Sequence, residues 1–130
     1  MIQLYTDGGS RGNPGKAAYA FLIYDGEKKL WARKERLGVT TNNVAEYTAV
    51  LEGLKKAREF DDEVEVFSDS QLVVRQLSGE YKVKKRHLRK LYTKIKRLEA
   101  EFKAVSYSHK PRTSRMQKLA DRLVNEALDS

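Results

Sequence analysis

The chain has 130 residues, 40% of them hydrophobic and 34% charged, and a formal net charge of +8 at neutral pH. That length fits one domain spanning residues 1–130, able to bury most of its chain surface in a single core, and that balance excludes a disordered polymer. Cysteine is absent, which excludes disulfides and thiol chemistry, and no apolar stretch approaches a membrane span.

Met-Ile-Gln-Leu-Tyr lacks the charged-then-apolar layout of a signal peptide. The run Ile2–Thr6 is a predicted strand, with Asp7 at its tip. Gly8-Gly9-Ser10-Arg11-Gly12-Asn13-Pro14-Gly15 then forms a turn-rich loop expected to continue neither strand nor helix. Its glycines match neither an ATP-binding loop nor the dinucleotide spacing, and a strand follows it, so no helix N-terminus is available for phosphate. Ala17–Tyr24 and Leu30–Leu37 read as a hairpin around Asp25-Gly26-Glu27. Over Asn42–Phe60, Val44, Tyr47, Leu51 and Leu54 fall on one helical stripe, with Thr41 or Asn42 as cap and Glu46 at the stripe's edge.

Val64–Ser68 is a short predicted strand with Asp69 at its end, followed by a short helix over Ser70–Leu77. Leu88, Leu91, Ile95 and Leu98 mark an amphipathic helix, Lys103–Ser108 a last strand, and Met116, Leu119, Ala120, Leu123 and Ala127 a final helix carrying Asp121. The order β-β-β-α-β-α-α-β-α implies a mixed sheet covered by helices.

Charge is concentrated in one segment. Lys82–Arg97 holds nine basic residues and no acid, which leaves 26 − 9 = 17 basic residues against 18 acids elsewhere. Such a stripe is the electrostatic footprint of a nucleic-acid binder, or else a solvated helix face. Asp7, Glu46, Asp69 and Asp121 pose the opposite problem. If they converge, repulsion raises their pKa values unless a multivalent cation neutralises them, and a set of hard oxygen donors suits Mg2+ or Mn2+.

The succession Thr-Asp-Gly-Gly-Ser-Arg-Gly-Asn-Pro-Gly, Thr-Thr-Asn-Asn-Val-Ala-Glu-Tyr, Ser-Asp-Ser-Gln and Ala-Asp resembles type 1 ribonuclease H over nearly the whole chain. The resemblance implies an α/β ribonuclease H-like fold, a five-stranded mixed sheet with helices on both faces. It implies a metal-dependent endonuclease that uses two divalent ions, Mg2+ with Mn2+ as substitute, to hydrolyse the RNA strand of RNA–DNA hybrids. The products carry 5′-phosphate and 3′-hydroxyl ends. Asp7, Glu46, Asp69 and Asp121 are then the metal-binding and catalytic acids, Asp7 bridging the ions. Asn13, Thr41, Asn42, Asn43 and Gln71 become substrate contacts, and the backbone of Gly8 or Gly9 with Glu46 senses the 2′-hydroxyl.

His109, in His-Lys-Pro-Arg, resembles the histidine that assists proton transfer or product release in many relatives. Here, however, the stretch from it to Asp121 is about two residues longer than the resemblance leads one to expect. The tryptophan-bearing basic handle of some relatives is absent or cut down, and the Lys82–Arg97 stripe, with Lys84, Lys85 and Arg86 at its head, is expected to replace its electrostatics. A cytoplasmic monomer that acts on RNA–DNA hybrids, with double-stranded RNA a further possible substrate and no membrane partner, is the resulting expectation. The alternatives are a non-cleaving hybrid or double-stranded RNA binding module of the same fold, and a nuclease acting on DNA junctions or transposon ends.

Overall fold

Strand formation dominates the first 40 residues. The computed structural model, which describes all 130 residues, contains β1 (Ile2–Gly12), β2 (Gly15–Asp25), β3 (Lys28–Thr40), α1 (Asn42–Ala57), β4 (Glu63–Ser68), α2 (Gln71–Leu77), α3 (Arg86–Glu99), β5 (Ala104–His109) and α4 (Arg115–Asp129). The five strands form one sheet in the order β3-β2-β1-β4-β5. β1, β2 and β3 pair antiparallel, whereas β4 pairs parallel with both β1 and β5, so the sheet is mixed as expected. No helix is long and apolar enough to cross a membrane.

Two boundaries differ from the sequence reading in ways that bear on function. The glycine-rich segment is largely strand: β1 runs through Asp7 to Gly12, and only Asn13-Pro14 turns the chain into β2. Gly8, Gly9 and Ser10 pair with Tyr19, Ala18 and Ala17, so cross-strand hydrogen bonding overrides the local turn preference. Asp7 therefore lies in mid-strand rather than at a tip. At the other edge β5 extends one residue further than expected and ends on His109, which pairs with Ser68.

Alternation along the strands sorts the side chains onto two faces. Leu4, Tyr19, Phe21, Ile23, Val64 and Val66 join Tyr47, Val50 and Leu54 of α1 and Leu88, Ile95 and Leu98 of α3 in the main core. Each of the larger apolar side chains contributes roughly 1.5–3 kcal/mol through burial. On the other face Ala18 and Ala20 pack against Val124 and Ala127 of α4. Small residues there let α4 approach the sheet beside Asp7, whose register partner is Ala20.

Candidate active site

Asp7 and Asp69 reach the same neighbourhood through sheet pairing. Tyr5 and Phe67 are register partners in the parallel β1–β4 pair, with rings stacked at 5.1 Å, and each acid follows two residues later on its own chain. Ser70, not Asp69, caps α2: its Oγ accepts from the Val73 N–H at 3.3 Å, which leaves the aspartate free of capping duty. Thr41 caps α1 in the same way, accepting from the Val44 N–H at 3.2 Å. That cap sets the helix phase and places Glu46 in the second turn.

Gly8 brings Glu46 close to Asp7. A Cβ at that position would lie 2.4 Å from the carbonyl carbon and oxygen of Ala45 and 2.6 Å from the Glu46 nitrogen. Only glycine allows α1 to rest on β1 at this contact. The result is that ligand oxygens of Asp7, Glu46 and Asp69 all lie within 4.8 Å of one another.

Crowding perturbs these acids. Asp7, 7% exposed, has its carboxyl pushed up to about 8, first by burial and then by the charges of Asp69, Asp121 and Glu46. Glu46 is pushed up to about 7 by burial and by Asp69, against the opposing pull of the Ser70 hydroxyl and Arg112. Three acids held this way against their own repulsion suit a divalent cation far better than a purely structural role.

Asp121 joins from the other side. It lines a cleft of about 390 Å³ together with Asp7, Glu46, Gly8, Gly9 and Asn43, but stands outside the tight three-carboxylate group. Its position is set one turn earlier, where the fully buried Gln117 donates through Nε2 to the Thr6 carbonyl at 3.1 Å. That bond ties α4 to the residue preceding Asp7.

Several expected substrate contacts are bonded to one another. Asn42 Oδ1 accepts from the Ser10 N–H at 2.7 Å and the Ser10 hydroxyl at 3.1 Å, and the Asn42 N–H donates to Asn13 Oδ1 at 3.1 Å. These bonds lash the β1–β2 turn to the start of α1, so the amide oxygens serve the fold and the NH2 groups remain for a ligand. Gln71 is exposed at the first position of α2. Lys84 and Lys85 lie between α2 and α3, and Arg86 begins α3; all three are exposed, and none lines the carboxylate cleft.

His109 is exposed and is absent both from the carboxylate group and from the cleft lining. By strand alternation it shares the face of Tyr107, whose hydroxyl donates to Glu99 of α3, on the side of the sheet away from α4. The residue that this segment does deliver is Arg112, which lines the cleft and lies 3.6 Å from Asp69. In the sequence Arg112 stands within His-Lys-Pro-Arg, where nothing local gives it a role. Gln117 and Ser70 also escape sequence reasoning, since a buried glutamine on a helix carries no local signal of the strand it will reach.

A reverse transcriptase-like family model matches residues 5–127. The N-terminal RNase H domain of a bifunctional Mycobacterium tuberculosis protein is 41% identical, with a TM-score of 0.93 over 98% of this chain and 93% of that one. RNase H1 of Halobacterium salinarum is 38% identical, with a TM-score of 0.92 over 98% and 97%. LC11-RNase H1, solved in complex with an RNA/DNA hybrid, is 42% identical, with a TM-score of 0.92 over 99% and 97%. The chain spans only 36% of the full mycobacterial protein and 64% of the Halobacterium protein sequence. With the same fold, the same order of motifs and this level of identity along its whole length, the chain belongs to the type 1 ribonuclease H family.

Proposed function

We propose that this chain hydrolyses the RNA strand of RNA–DNA hybrids in a divalent-metal-dependent reaction, leaving 5′-phosphate and 3′-hydroxyl ends. The observation that carries the reading is the convergence of Asp7, Glu46 and Asp69 within 4.8 Å, with two of the three pushed toward neutrality by burial and by the neighbouring carboxylates. A relative 42% identical and solved with an RNA/DNA hybrid supports the substrate class.

The donor set is all carboxylate oxygen, which fits Mg2+, with Mn2+ able to substitute. Asp7, Glu46 and Asp69 would hold the first ion, and Asp7 with Asp121 a second. Bound ions of this kind supply activation of water and stabilisation of the leaving oxygen in an in-line displacement. The chain does the rest. Asp7, fixed in mid-strand, supplies an anchor that cannot swing away. Gly8 and Gly9, without side chains, let a sugar approach the backbone next to Glu46, where a 2′-hydroxyl distinguishes RNA from DNA.

The NH2 groups of Asn13, Asn42 and Asn43, the Thr41 end of α1 and Gln71 donate to base edges and phosphates without strong sequence choice. Lys84, Lys85 and Arg86 add phosphate neutralisation. Arg112, beside Asp69, balances part of the acid charge until metal arrives. His109, outside the cleft lining, assists without touching the reacting atoms. A cytoplasmic monomer acting on replication primers or stray hybrids fits this chemistry.

The test is a gel assay of labelled hybrid, RNA–RNA and DNA–DNA duplexes with Mg2+, with Mn2+ and with EDTA. Cleavage confined to the RNA strand and dependent on metal is expected. Protein that binds hybrid yet cuts nothing in either metal would favour the binding-module alternative.

A further inference from the structure

We infer that the outer face of α3, with the crevice beside its first turns, binds a single-stranded nucleic-acid tail leaving the duplex held at the carboxylates. The inference deepens the hybrid reading above and rests on it for the position of the duplex.

Arg86, Arg89, Lys90, Lys94 and Arg97, with Thr93, line a groove of about 410 Å³ that no apolar side chain enters. Their spacing puts them on one stripe of the helix. None of the five cations takes part in an ion pair, whereas Lys96, on another side of the same helix, is held by Glu99 and the Leu77 carbonyl. Five neighbouring cations without an internal acid repel one another, and an external polyanion would relieve that repulsion.

A second crevice of about 410 Å³ shares Arg89 and Thr93 with this groove and is lined by Tyr81, Lys82, Val83 and Tyr92. Tyr81 is 46% exposed, and its ring is held in place by Arg75, which bonds its hydroxyl and lies 5.4 Å from the ring centroid. A fixed, exposed aromatic ring beside unpaired cations is what an unpaired base needs, because stacking accepts any base and the cations follow the backbone. An acidic protein would use the cations and leave the aromatic crevice unexplained.

Topology separates this face from the duplex. α2 starts beside Asp69, and α3 leads into β5, whose first residue Ala104 pairs with Glu63 at the opposite end of β4. α3 therefore descends from the carboxylate end of the sheet, and the eleven steps from Arg86 to Arg97 cover about 16 Å at 1.5 Å per residue. A duplex across the carboxylates meets only the head of the stripe. A flexible strand can follow all of it.

The test is fluorescence anisotropy in EDTA, comparing a blunt hybrid with the same hybrid carrying a short oligo(dT) tail of either polarity. Wild-type protein should bind one tailed form more tightly. The Lys90→Ala/Lys94→Ala/Arg97→Ala variant should lose that advantage while cutting blunt hybrid in Mg2+ as wild type does. With about three single-strand phosphate contacts, the advantage should shrink roughly fourfold for each doubling of salt. No gain from either tail, or a variant that weakens blunt and tailed hybrid by the same factor, would overturn the inference. So would polyglutamate displacing the tail as effectively as free oligo(dT), which would reassign the face to an acidic protein. Failure of blunt-hybrid cleavage in the wild type would refute the nuclease reading instead, and the anisotropy result would still stand.

Discussion

Neutralising Asp69 should make the metal-free protein more stable, and increasingly so as pH rises. Its side chain is only 7% exposed, and its ligand oxygen lies within 4.8 Å of those of Asp7 and Glu46. At that separation and an effective dielectric of about 20, two full charges repel by about 3.5 kcal/mol. Asp7 is pushed from 3.8 to about 8 and Glu46 from 4.5 to about 7. Between about pH 4 and pH 8 the folded chain thus keeps protons that the unfolded chain has released, and metal-free stability falls as pH rises through that window. Near pH 5.5 both neighbours are protonated and Asp69 repels little; near pH 9 both are charged and it repels two. Asp69→Asn removes that repulsion and keeps the side-chain volume. Against the gain stands the Asp69–Arg112 ion pair at 3.6 Å, but Arg112 is 81% exposed, and such a pair contributes less than about 1 kcal/mol. Allowing for water entry and relaxation of the charged site, the net gain near pH 9 should be about 2 kcal/mol, or roughly 6–8 °C in Tm for a chain of this size. It should shrink toward zero near pH 5.5. Thermal unfolding followed by circular dichroism in EDTA across that range measures it. Added Mg2+ should raise the Tm of the wild type and leave the variant nearly unmoved. A variant melting at or below the wild type near pH 9 would refute the reasoning, as would cleavage of hybrid by Asp69→Asn at the wild-type rate.

Gly8→Ala should be more damaging than its one methyl suggests, because the new Cβ meets the Ala45–Glu46 backbone at 2.4–2.6 Å; denaturant melts should report a loss of roughly 1–3 kcal/mol or more, with cleavage falling as Glu46 is pushed off Asp7. His109→Ala should stay measurably active, with a loss below the roughly 10²–10⁴-fold attached to a general acid–base group, since the side chain lies outside the carboxylate cleft; single-turnover rates across pH would check this, and complete inactivity would place the histidine at the reaction. Replacing Lys84, Lys85 and Arg86 with alanine should raise KM, leave kcat nearly intact and lower the slope of log K against log salt by about 0.9 for each phosphate that is no longer neutralised. An unchanged slope in a salt titration would return these residues to a solubility role.

Sequence alone determined the elements and the identity of the acids. Apolar alternation and helical spacing mark strands and helices, because each of these patterns is local: a residue's face depends on neighbours two or four positions away. The amphipathic α3, with its buried Leu88, Ile95 and Leu98 and its exposed cations, needed no tertiary information to be read. Tertiary structure decided the rest. β1 continues through its glycines because β2 pairs with them, a partner more than ten residues away for Asp7 and Gly8. Asn13 and Asn42 turn their amide oxygens inward because the turn and the helix start meet only after the sheet is assembled. His109 stays out of the cleft lining because its backbone pairs with Ser68, and strand alternation then gives its side chain the face of Tyr107. The pushed-up carboxyls of Asp7 and Glu46 arise in the same way. A chain carries its charges everywhere along its length, but the fold alone brings three of them within 4.8 Å and removes the water that would have screened them.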